Sequence, residues 1–166
     1  MMKKVLRIFI VLTFVALFVY TLLPNPKFPN PPSDALQSKE RGDSEDLSIR
    51  RAYFTNFTRG EVMKHYQNEF KGFRLNYPPE EAATIIRDQT RSTFLEEIVH
   101  PFRESFYVNG FEPKDPKDAI EIEGLSWRQK ITVKYVPSNL FLRSLVIVLT
   151  GAVSFLLLNV WLKKHD

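Results

Sequence analysis

Two long apolar runs bracket the chain. The first, Ile8–Leu23, holds 16 residues without a charge, and Val5 and Leu6 extend it past Arg7. As a helix rising roughly 1.5 Å per residue it is about 24–28 Å long, enough for a hydrocarbon core of roughly 30 Å with Arg7 reaching back to the headgroups. The second, Ser144–Leu162, has Asn159 as its one strongly polar member. Pro137 ends whatever precedes it, and Asn139 reads as the N-cap of a helix that begins at Leu140. The pattern predicts transmembrane helices over 8–23 and 140–162.

The first run carries no cleavage signal. Before Pro24 the chain reads Phe18, Val19, Tyr20, Thr21, Leu22, Leu23, with only Thr21 moderately small and no Ala-x-Ala. An exported leader would have a shorter apolar core and small residues at those places, so the expectation is an uncleaved signal-anchor.

Between the runs the periodicity changes. "PNPKFPNPP" and the charged stretch after it predict an extracytoplasmic linker over 24–48, extended and then flexible. A folded domain is expected over 49–137. "IRRAYFTNF" is short and aromatic, as a strand would be. In "TRGEVMKHYQNEF", Thr58 and Glu61 form a capping box, and Val62, Met63, Tyr66 and Phe70 recur at helical spacing. "FRLNY" suggests a short strand. Pro78, Pro79, Glu80 and Glu81 predict the start of a longer helix through "EEAATIIRDQTRSTFLEEIV", ending at Pro101.

Asn109-Gly110 predicts a tight hairpin turn, and "EPKDPKDAIEIEG" a charged connection. The clearest strand is "WRQKITVKYV", with Trp127, Gln129, Ile131, Val133 and Tyr135 on one face and Arg128, Lys130, Thr132 and Lys134 on the other. So clean an alternation implies a sheet with one solvated face. The expected class is α+β: a small antiparallel sheet with two helices on one face, flanked by the two spans.

Charge sharpens the topology. The net charge is +4, yet 17 Lys and Arg stand against 18 Asp and Glu between Pro24 and Asn139. The excess lies at Lys3, Lys4, Arg7, Arg143, Lys163 and Lys164, where, with Trp161, it marks membrane interfaces rather than a phosphate-binding patch. Nucleic acid is therefore not an expected partner. Basic clusters outside both runs predict a 1–7 tip and a 163–166 tail in the cytoplasm, with 24–139 extracytoplasmic. Arg143 is expected to snorkel from the outer side. Thr150, Gly151 and Ser154 offer the second span a small-residue packing face.

Chemistry is sparse. The chain has no cysteine, which removes disulfides, thiolate metal sites and a Cys nucleophile. Glu97-x-x-His100 and Glu61-x-x-x-His65 have ligand spacing, but the second motif of a di-iron bundle is missing. Asp115, Asp118, Glu121 and Glu123 lack calcium-loop spacing. Gly124-Leu-Ser126 lacks the second glycine of a nucleophile elbow. No catalytic, cofactor or metal residues are assigned. The one candidate polar contact site is Arg87, Asp88 and Arg91, in a stretch polar all round a predicted helix.

These readings describe an integral protein of a bacterial cell membrane, partnered by the lipid bilayer and by a protein of the membrane or envelope. A non-catalytic binding domain is expected, as in an accessory subunit. The alternatives are a membrane-bound enzyme acting on an envelope substrate, or a sensory domain signalling through the second span.

Overall fold

A computed structural model describes residues 2–40, 42–43, 46–85 and 92–164. The chain divides into two compact units, Met1–Asn25 with Ser138–Asp166, and Pro26–Pro137. The first unit is a pair of apolar helices, α1 (Met2–Leu22) and α4 (Leu140–Lys164). The second is α+β. Its strands β1 (Leu36–Gln37), β2 (Arg50–Thr55), β3 (Phe73–Tyr77), β4 (Phe94–Val99), β5 (Ser105–Phe111) and β8 (Gln129–Val136) form a six-stranded antiparallel sheet in the order β1-β2-β8-β5-β4-β3. Two short strands, β6 (Ile120–Ile122) and β7 (Leu125–Trp127), pair separately. Their turn places Glu123 and Gly124 at φ 54° and 75°, the positive values a two-residue hairpin loop needs.

Helix α2 (Arg59–Phe70) has the predicted capping box: the Thr58 side chain accepts from the Glu61 backbone while Glu61 accepts from Thr58. Val62, Met63, Tyr66 and Phe70 are buried on one stripe, against Phe94, Ile98, Phe106, Val108, Ile131, Val133 and Tyr135 of the sheet. On β8 the inward set is Gln129, Ile131, Val133 and Tyr135, as its alternation predicts. Burying a large apolar side chain in such a core contributes about 1.5–3 kcal/mol.

Three expectations are corrected. The helix opening at Pro79 does not run on to Pro101: α3 is described over Pro79–Ile85, and "FLEEIV" is strand β4. Its apolar residues fit helical spacing equally well, and the choice is made by pairing with β3 and β5 on either side. Asn109-Gly110 is not a turn; β5 runs through it, Gly110 opposite Phe94. A Cβ on Gly110 would lie 2.0 Å from Phe94 Cε1, so the missing side chain is the space the aromatic ring occupies.

The third correction concerns the linker. Leu36–Gln37 pair with β2, and Phe28 and Ala35 pack on the core, so this part of the 24–48 stretch belongs to the folded unit. Proline fixes the backbone there, which lowers the entropic cost of docking an otherwise polar segment.

Candidate functional site

The helix pair is the first candidate. Both α1 and α4 are long and apolar enough to cross a membrane. They run antiparallel. At one end the Lys3 ammonium donates to the Leu162 carbonyl at 3.3 Å; at the other, Arg143 donates to the Leu23 carbonyl at 2.8 Å and to Asn25 Oδ1 at 2.7 Å. Asn25 also donates to the Ser138 carbonyl at 3.3 Å. Asn139 caps α4, accepting from the backbones of Phe141 and Leu142.

Midway along the pair, Gly151 faces Phe14, whose Cδ1 would be 3.1 Å from a Cβ placed there. An apolar groove of about 300 Å³ lies between the helices, lined by Phe14, Phe18, Ile147, Gly151 and Phe155 among others. The remaining surface is apolar: Phe9, Leu12, Val148 and Leu156 are exposed. Lys4, Arg7, Trp161, Lys163 and Lys164 are exposed toward the end where Lys3 meets Leu162, and Arg143 is buried at the other. A side chain with a full charge and 6 % exposure is tolerated because neutral oxygens receive its protons.

The candidate polar site Arg87, Asp88 and Arg91 lies outside the described residues. The two histidine pairings are not brought together as ligands. Glu61 is engaged in the capping box, where bonds from the Thr58 backbone and hydroxyl hold its carboxyl below the usual range. His65 contacts the Asn30 carbonyl at 2.8 Å. Glu97 lies on a strand, and Tyr107 is pushed up to about 12 by burial and then by its hydrogen bond to Glu97. His100 Nε2 contacts the Phe70 carbonyl. Among the described residues no group of three His, Asp or Glu is placed to hold a metal ion.

Other buried charges in the domain tie segments together. Glu96, 2 % exposed, takes Arg59 at 2.7 Å and Arg74 at 3.4 Å. Glu104, 1 % exposed, takes Arg103 at 3.1 Å and faces His100 at 3.7 Å. Lys130 reaches Asp43 at 2.7 Å and Glu40 at 2.5 Å. Burial opposes its charge, but these bonds outweigh that and hold its pKa above the usual lysine value. The Glu96 and Lys130 bonds join distant parts of the chain, whereas Glu104 is held by its near neighbours Arg103 and His100.

The surface that sequence reasoning missed is β3. Among the described residues it pairs on one side only, with β4, and closes one edge of the sheet. Phe73, Leu75 and Tyr77 alternate onto one face, with Phe73 71 % and Leu75 51 % exposed. The alternation was visible in "FRLNY"; its place at the edge was not, because strand order depends on pairings far along the chain. Arg74 is the one charged residue within this edge strand, which otherwise carries no proline or lysine to discourage another strand.

Comparison with known proteins finds no matching family model, no matching curated protein and no matching solved structure.

Proposed function

We propose that this chain is a two-span membrane protein, with both termini cytoplasmic and residues 24–139 extracytoplasmic, whose α+β domain binds a protein partner of the membrane or envelope without catalysing a reaction. The observation that carries the binding role is the open β3 edge, whose exposed main chain and Leu75 suit addition of an extended segment. The anchoring role is supported by the hydropathy of α1 and α4, and the orientation by the lysines that flank them.

The test is photo-crosslinking in intact membranes with a reactive residue at Leu75. A defined crosslinked protein, lost when Asn76→Pro blocks the edge, is the expected result. No adduct from Leu75 under conditions that label a solvent control would sink the binding reading. Accessibility of single cysteines at Lys4 and Leu125 to an impermeant reagent checks the orientation independently: only Leu125 should react from outside.

A further inference from the structure

In the register of the sheet, Val136, Ser105, Val99 and Phe73 stand in one row across β8, β5, β4 and β3. This row is the end from which the chain leaves the domain. Val136 closes β8 and Leu140 opens α4, a reach of at most about 14 Å of extended chain. The chain also enters near this end: Phe28 packs edge-on against Phe106, which neighbours Ser105, at 6.1 Å between ring centres.

The same end carries large apolar side chains that the domain leaves uncovered. Phe73 is 71 %, Phe102 48 %, Leu47 42 % and Val136 38 % exposed. Phe102 is displayed at a conformational cost. It sits at φ 61°, in a turn closed by bonds from Arg103 N to the His100 carbonyl and from His100 N to the Glu104 carbonyl. The turn leaves Phe102 left-handed with nearly half its surface in water.

What would cover these side chains follows from the connection to α4: three residues separate Val136 from the first residue of a helix long and apolar enough to cross a membrane. Lys71 and Lys134 lie exposed beside this row, as do Glu69 and Asp46. At the opposite end, between β5 and β8, Asp115, Glu121 and Glu123 are exposed together with Lys114, Lys117 and Arg128. Both ends carry charges of both signs, so what sets this one apart is the exposed Phe73 and Phe102 beside the exit toward α4, and aromatic tips with lysines near them suit the headgroup–acyl boundary of a bilayer.

We propose that this end of the domain rests in the surface of the bilayer that α1 and α4 cross, with Phe73 and Phe102 as the inserted side chains. The proposal rests on the two-span reading above. It makes the membrane a binding partner of the folded domain as well as of the helices.

The chain has no native cysteine, so single cysteines label cleanly. Full-length protein is reconstituted in phosphatidylcholine–phosphatidylglycerol vesicles, with an environment-sensitive fluorophore at Phe73→Cys, Phe102→Cys, Leu125→Cys or Leu149→Cys. The probes at Phe73 and Phe102 should shift to the blue and lose intensity when shallow-brominated lipid replaces its parent; the Leu125 probe should do neither. Quenching at Leu149 but at neither Phe73 nor Phe102 overturns the proposal and leaves the spans intact. A blue shift at Phe73 without bromolipid quenching also overturns it, because a protein then covers the site. An unquenched Leu149 removes the two-span reading and the proposal with it.

Discussion

Arg143 and Asn25 stand 118 positions apart in sequence, yet the guanidinium of one donates to the side-chain oxygen of the other at 2.7 Å. With the second bond to the Leu23 carbonyl, this fastens the start of α4 to the end of α1. Arg143→Ala should lower the stability of the detergent-solubilised protein by about 1.5–3 kcal/mol, the range for hydrogen bonds to a charged group. Arg143→Lys should recover part of that, since one ammonium cannot reproduce the forked geometry. Thermal unfolding in micelles reads both variants, and an unchanged midpoint for Arg143→Ala would count against the clasp.

Gly110 and Phe94 form a second pair, in which one residue exists as space for the other. Gly110→Ala should cost about 1–3 kcal/mol through overpacking. In a Phe94→Leu background the same substitution should cost less, and a double-mutant cycle by urea denaturation measures the coupling. Additive losses would show that the ring does not need that space.

Glu96 is the strongest candidate for a structural ion. Its side chain is 3 % exposed and faces Arg59 and Arg74, from α2 and β3. Glu96→Ala leaves two cations without their carboxylate, but both stay partly in water, at 38 % and 48 % exposure, so the domain should lose about 1–3 kcal/mol. Replacing Glu96 with Gln, which keeps the shape and one acceptor oxygen, should be milder. The comparison is made by chemical denaturation at one fixed ionic strength, because the exposed arginines are screened by salt.

Tyr107 gives a prediction at alkaline pH. Its folded pKa is raised to about 12 from 10.0, by burial first and then by Glu97. The unfolded chain therefore loses this proton before the folded one does. The contribution is complete below about pH 10 and falls away as the pH rises toward about 12. Tyr107→Phe should flatten that limb of the stability curve while leaving the neutral region close to wild type. An equally steep fall in the variant would assign the effect to another group, such as Tyr66, which burial raises further, with Tyr53 and Glu69 adding to it.

Thr58 tests the local code. Thr58→Ala removes the side-chain half of the capping box and should cost about 1 kcal/mol, read by thermal melting of the domain signal.

These cases also show what was legible in the chain. The cap and stripe of α2 and the alternation of β8 are local patterns, and both were readable at nearly their true bounds. β4 was not, because Glu96 and Glu97 in the middle of "FLEEIV" argue against a buried strand until Arg59, Arg74 and Tyr107 are brought to them by the fold. Asn109-Gly110 misled for the converse reason: its turn preference is local, and the demand of the Phe94 ring is not. The candidate surface followed the same division. The apolar character of Phe73 and Leu75 was in the sequence; their exposure at an edge followed only from strand order.

The order β1-β2-β8-β5-β4-β3 puts the last strand to be made into the middle of the sheet. On a ribosome adding roughly 5–20 residues per second, β2 waits about 4–16 s after its own synthesis for β8 to arrive. Until then the β1–β2 and β5–β4–β3 segments have no strand to join them. When β8 does emerge, the apolar run of α4 is next in line. Completion of the domain and release of the second helix are thus set by the same few seconds of translation, and a ribosome stalled before Gln129 would hold an open sheet.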